Sequence, residues 1–269
     1  RDDKFTGTLT FTNTDGTAGS PIVFGTYENG QRPIITTQDT LTEWTYHKSH
    51  VYYAPVTGDP DMVRFLYING IKYNKGRSPN TGWNTINNPL TSTLFVDNTL
   101  NAASNYWAGA SVLMHGGYEW ELYRAEISRS NEDTIVTVTP PYYGMDSLGG
   151  YFFVDDTTCL DLHGEWCYDE TNHRVYIYTT NNPSTYTIAC DVNSVYVNIA
   201  NSDYIQFDGL EFLAGNRAMT GLSSDNLIVK NCNFKAFYQS VWIDYSYDCT
   251  VSNNNFLYAT REGLVYGRM

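Results

Sequence analysis

Ser202-Asp203-Tyr204-Ile205-Gln206-Phe207-Asp208-Gly209-Leu210-Glu211-Phe212 is echoed 22 residues later by Ser224-Asp225-Asn226-Leu227-Ile228-Val229-Lys230-Asn231-Cys232-Asn233-Phe234. A third copy follows at the same interval: Ser246-Tyr247-Asp248-Cys249-Thr250-Val251-Ser252-Asn253-Asn254-Asn255-Phe256. A fixed period of a few tens of residues means a solenoid whose turns stack on one another. The columns say which kind. Positions 205/227/249 hold Ile, Leu and Cys, and 207/229/251 hold Phe, Val and Val, alternating with polar neighbours at strand period. The next apolar columns, 210/232/254 and 212/234/256, break that parity, so the chain turns a corner between them. The corner column 209/231/253 is Gly, Asn, Asn, the residues that best tolerate a left-handed backbone.

A third strand is expected to point 219/241/263 and 221/243/265 inward. Three short strands per turn, an Asn/Gly corner and a ladder of Phe212, Phe234 and Phe256 predict a parallel β-helix with 22-residue rungs spaced ~4.8 Å apart. Asn254 is polar in an inward column. Either it hydrogen-bonds to the backbone at the corner or the register slips there.

Working outward, 5–11 and 22–26 read as strands around the turn Asn13-Thr14-Asp15-Gly16, and Ile34-Ile35 as another, giving early rungs over 1–41. From Trp44 to Ala189 no 22-residue register holds. Strand-like stretches separated by Pro, Gly and Asn turns predict an inserted β-rich module, barrel or sandwich, over 42–189. The helix resumes over 190–269. The chain starts at Arg1 and stops at Met269 directly after a strand pattern, which is the expectation for a fragment lacking outer rungs and caps, a part of a larger chain.

Composition agrees with an all-β chain. There are 23 Tyr, 6 Trp and 12 Phe, and no helical stripe of ten or more residues. The net charge of −13 argues against nucleic acid, which demands a basic stripe. It weighs against a polyanionic glycan unless local Arg, Lys or a bound cation reverses the field. No apolar run approaches ~20 residues, so no membrane insertion is expected. Five cysteines are too few for a disulfide framework; Cys159 and Cys167 bridge locally or, the blander reading, are plain thiols.

Four stretches carry a family resemblance: Gly19-Ser20-Pro21-Ile22-Val23-Phe24-Gly25-Thr26-Tyr27 with Pro33-Ile34-Ile35; Tyr67-Ile68-Asn69-Gly70 with Gly76-Arg77-Ser78-Pro79-Asn80-Thr81-Gly82; Gly164-Glu165-Trp166-Cys167-Tyr168-Asp169 with Arg174-Val175-Tyr176-Ile177-Tyr178; and the repeat region. The sequence resembles bacterial right-handed parallel β-helix proteins of the pectate-lyase-like superfamily. That implies a right-handed coil, a secreted or cell-surface location and polysaccharide as partner. The implied activity is that of a polysaccharide lyase or glycoside hydrolase. The superfamily also contains adhesins and phage spikes, so the alternative is a non-catalytic surface module; fold alone does not give function.

In such proteins substrate lies across one long sheet, here the third strand. Its expected outward columns, 218/240/262, 220/242/264 and 222/244/266, put Trp242, Tyr266, Asp244 and Glu262 on one face. The aromatics would stack on sugar rings, and Asp244 and Glu262 are the candidate catalytic acids. One rung apart and four residues out of step, they are expected roughly 14 Å apart, beyond the ~5.5 to 9.5 Å of glycosidase pairs. Arg217 and Arg261, two rungs apart in one column at ~10 Å, are candidate ligands for uronate carboxylates, the job that Ca²⁺ commonly shares in lyases of this kind. Lys230 above Asp208 reads as a surface ion pair. Asp203 and Asp225 stack at a corner and either share a cation or make Asx turns. His115 and His163, without a metal-ligand spacing, read as structural, as do Glu165 and Asp169.

Overall fold

The computed structural model describes residues 3–27, 29–57, 62–117, 120, 122–192 and 195–267. Among them there are strands and two single-turn 3₁₀ helices, with parallel and antiparallel pairing in different sheets. No helix among them is long and apolar enough to cross a membrane. The chain divides into two compact units, Arg1–Leu41 with Val56–Lys72 and Thr187–Met269, and Thr42–Pro55 with Tyr73–Tyr186.

The first unit holds three parallel ladders, which the chain visits in turn. One joins Leu9–Thr12, Val195–Ala200, the far ends of Glu211–Leu222 and Asn233–Asp244, and Glu262–Tyr266. The second joins Ile22–Gly25, Ile205–Asp208, Ile228–Lys230 and Thr250–Ser252. The third joins Lys4–Thr6, Ile34–Thr36, the near ends of the two long strands, and Asn255–Leu257. Phe212 pairs with Phe234 and Phe234 with Phe256, each 22 residues on.

Corners are sharper than the sequence announces. Besides Gly209, Asn231 and Asn253, three further columns adopt positive φ: Asn201, Ser223 and Tyr245; Tyr204, Asn226 and Asp248; Ala214, Ala236 and Tyr258. Left-handed backbone costs a non-glycine residue about 1–2 kcal/mol, and Tyr, Ser and Ala give no warning of it. Here the stacked coils impose it. Ala214 and Ala236 bend each long strand so that it serves two ladders.

Apolar columns fill the interior. Phe212, Phe234 and Phe256 stack with ring centroids 4.9 and 5.2 Å apart, and Phe24 lies on Phe207 at 5.3 Å. A buried Phe contributes up to about 3 kcal/mol, so these columns dominate the cohesion between coils. Polar columns are satisfied along the stack. Ser202 N–H donates to Ser224 Oγ at 3.0 Å and Ser224 N–H to Ser246 Oγ at 2.9 Å. Asp225 N–H donates to Asp203 Oδ1 and Tyr247 N–H to Asp225 Oδ1, both at 2.7 Å, so these aspartates serve as backbone acceptors. Lys230 and Asp208 form the expected partly exposed ion pair at 3.4 Å.

Residues 56–57 and 62–72, read from sequence as part of the insertion, group instead with the first unit. Leu66–Ile68 pairs antiparallel with Ile188–Asp191, which pairs with Gln38–Thr40. The buried Asp191 carboxylate accepts the N–H groups of Arg64 and Phe65 at 3.0 and 2.7 Å. Phe65 and Tyr67 pack against Ala214 and Ala236. The local hairpin of Leu66–Ile68 with Ile71–Tyr73 does not reveal this return, because the partners that place it in the first unit are distant in sequence.

The second unit consists of antiparallel sheets. Ser111–His115 pairs with Leu122–Asn131 and Gly150–Val154, and Leu122–Asn131 with Thr134–Thr137, in the eight-stranded sheet. The four-stranded sheet orders Trp166–Asp169, Arg174–Tyr178, Val51–Pro55 and Thr45–Lys48. Trp107 stacks on Phe153 at 3.9 Å, and buried Tyr151 donates to Asp97 at 2.7 Å. All five cysteines are free thiols. Glu165 accepts the N–H groups of Asp161 and Leu162, and Asp169 those of Thr171 and Asn172.

Candidate functional site

Where the strands of the first ladder begin, they carry a connected polar network built on Gln239. This side chain lies in the strand Asn233–Asp244, one coil from Arg217, and is only 3 % exposed. Arg217 donates Nε–H and Nη2–H to Gln239 Oε1 at 3.2 and 2.6 Å. Gln239 Nε2 donates onward to Glu262 Oε2 at 2.8 Å. Glu262 Oε1 pairs with Arg261 Nε at 2.8 Å, and Arg261 Nη1 donates to the Tyr238 hydroxyl at 3.0 Å. The Tyr238 ring also lies 4.2 Å from the Arg64 guanidinium.

Arg217 sits over the Trp242 ring at 4.6 Å. The pairing of a guanidinium with an indole face is a cation–π contact worth about 0.5–2 kcal/mol. It also fixes the orientation of both groups. Burial lowers the Arg217 pKa from its usual value, Arg261 adds to this and Glu262 opposes it. Three arginines join this network in a chain of net charge −13: Arg261 pairs with Glu262, Arg217 with the Gln239 amide, and Arg64 lies against the Tyr238 ring.

The register of the outermost coil differs from the expected columns. Glu262 faces Gln239 and Val265 faces Trp242, an offset of 23 rather than 22. The extra residue enters after Leu257, which still keeps the 22-residue offset from Lys235. Glu262 therefore belongs with Arg217 and Gln239, not with Ala218 and Ser240. Arg261 does not share the Arg217 column; it precedes it and pairs with Glu262. Tyr266 faces Ile243, and its hydroxyl donates to the Ser246 carbonyl at 3.0 Å, so it closes a corner instead of joining Trp242.

Asp244 lies five residues beyond Gln239, which puts its backbone about 17 Å from that of Glu262. One of its carboxylate oxygens accepts the Tyr245 N–H at 3.1 Å. The two acids do not form a glycosidase pair, whose carboxyls are held within about 10 Å. The face thus brings together Arg217, Trp242, Arg261 and Glu262, and leaves Asp244 and Tyr266 apart. Sequence reading missed Gln239, Tyr238 and Arg64. Gln239 was visible as a polar residue in a repeating strand; Arg64, in the segment taken for insertion, carried no signal.

A cleft of about 500 Å³ in the second unit is lined by His47, Arg124, Glu126, Asp155, Asp169, Tyr176 and their neighbours. Its inner acids have structural work: Asp155 is held by Lys75 and Arg124 at 2.9 and 2.7 Å, and Asp156 caps a 3₁₀ turn. Among the described residues no three His, Cys, Asp or Glu side chains are grouped to hold a metal.

No family model matches the sequence, and no curated protein is similar to it. Among solved structures the chain is similar to one named "Glycoside hydrolase", with a TM-score of 0.68 and 13% sequence identity. The likeness covers 91% of this chain and 56% of that one, so the chain spans just over half the length of that structure. At this identity the likeness is one of fold.

Proposed function

We propose that the three parallel ladders form a right-handed parallel β-helix and that the protein is an extracellular carbohydrate-active enzyme binding polysaccharide across the first ladder. Right-handedness follows from the parallel crossovers, which take that hand in nearly all sheets. One observation carries the functional reading: an Arg217–Trp242 platform is joined through Gln239 to Glu262 where the strands of the first ladder begin. An indole stacks on a sugar ring, guanidinium groups bind hydroxyls or carboxylates bidentately, and a carboxylate is the usual proton-transfer group in glycoside chemistry. The fold likeness to a glycoside hydrolase supports hydrolysis over elimination. The three arginines favour an acidic sugar.

A second reading is a glycan-binding surface module without catalysis. It is favoured by the commitment of both Glu262 oxygens to Gln239 and Arg261, and by the distance to Asp244. Incubating the purified chain with uronate-containing and neutral polysaccharides separates the two. Product that disappears in Glu262→Gln supports the enzyme. Binding without product, lost in Trp242→Ala, supports the module. Neither binding nor product with folded protein defeats both.

A further inference from the structure

We propose that Gln239 is a positioning residue that couples the Arg217–Trp242 platform to the Glu262 carboxylate one coil away. The inference deepens the reading of this face as a glycan site and rests on that reading for its biological use.

Gln239 is the hydrogen-bonded bridge between two charged groups that also attract each other through space, and its amide has one orientation that satisfies both. Arg217 is donor-only, so it claims the amide oxygen; ionised Glu262 is acceptor-only, so it claims the amide nitrogen. A flip of the amide would set donor against donor on one side and acceptor against acceptor on the other. With the side chain almost wholly buried, water cannot substitute for either partner. Polarisation of the amide by the guanidinium strengthens the bond to the carboxylate, since hydrogen bonds in a chain reinforce one another.

The backbone is arranged for this contact. A strict 22-residue coil would set Arg261, not Glu262, opposite Gln239; the additional residue after Leu257 brings the carboxylate into line. Trp242 holds Arg217 from its other side, at 4.6 Å. A ligand that stacks on Trp242 or draws on the remaining Arg217 donors therefore changes how firmly Glu262 is held, without touching it.

The test uses the intact chain, isotope-labelled, with the Glu262 carboxyl carbon followed by NMR. Arg217→Lys, without ligand, is expected to shift the Glu262 carboxyl resonance when Gln239 is present and to shift it markedly less in a Gln239→Met background, where only the through-space attraction remains. An equal response in both backgrounds, or none in either, overturns the coupling. If Gln239→Met does not fold, by circular dichroism, Gln239→Asn replaces it: one methylene shorter, it cannot span both partners, and the same outcomes apply. Titration with a glucuronate oligomer is a separate arm. Failure of the oligomer to move the Arg217 Nε resonance would sink the glycan reading of this face while leaving the ligand-free coupling result to stand on its own.

Discussion

Asn254 accepts the Cys232 N–H on its Oδ1 at 2.8 Å, one coil away, and its Nδ2 donates to the Val229 carbonyl at the same distance. A polar side chain in an apolar column thus joins two coils, where Leu210 packs and the Cys232 thiol donates to the Lys230 carbonyl at 3.2 Å. Asn254→Leu, which restores the column's apolar character, is expected to destabilise the first unit by about 1–3 kcal/mol, because a half-buried N–H loses its acceptor. Urea denaturation checks this, and unchanged or increased stability would contradict it.

Burial raises the Asp191 pKa to about 6, against the opposing pull of the N–H groups of Phe65 and Arg64. Protonated Asp191 is therefore favoured in the folded state. Its contribution to stability is fully present below the unfolded value near pH 4 and is lost as pH rises through about 6. A shift of this size amounts to roughly 3 kcal/mol. Asp191→Asn keeps an acceptor for both N–H groups and should flatten this part of the pH profile of unfolding between pH 4 and 7.

Asp155 has the opposite sign. Burial alone would raise its pKa, but Lys75 and Arg124 more than offset that and hold it below the usual value. Its stabilisation is present above the unfolded value near pH 4 and disappears as pH falls through the lowered folded value. Asp155→Asn should cost about 1–3 kcal/mol at pH 7 and reduce the acid sensitivity of the second unit. Tryptophan fluorescence during acid titration reads it.

The thiols should be inert. Cys159, Cys167, Cys190 and Cys232 are buried, and burial pushes the Cys159 thiol up to about 12. In native protein at pH 8 an aromatic disulfide reagent is expected to modify at most the half-buried Cys249, and all five only after denaturation. Rapid labelling of Cys159 or Cys167 in folded protein would contradict the packing around them.

The ladders were legible because repetition lets one column vouch for another: Phe212, Phe234 and Phe256 cannot align by accident and still alternate correctly. The same logic misled at Glu262. A single added residue moves every following side chain to the other face of its strand, and no second copy beyond it exposed the slip. The network around Gln239 therefore lay one position from where the columns put it. Arg64 and the clamp at Asp191 were invisible for another reason: they are made by a chain segment that leaves the repeat and returns. In the antiparallel unit no periodicity existed to read, so the sequence conveyed strands and turns but not their partners.

The serine and aspartate columns pass hydrogen bonds from coil to coil in opposite directions: Ser202 N–H donates up the stack and Asp225 N–H donates down it. Each coil thus presents the same donors and acceptors to the next as it received from the last. Removing the 22 residues from Ser202 onward as a block would keep a serine and an aspartate at the junction, whereas removing 21 would put the serine column out of step. Length in such a stack is thus modular at these two columns, while a corner such as the one after Leu257 absorbs a single added residue.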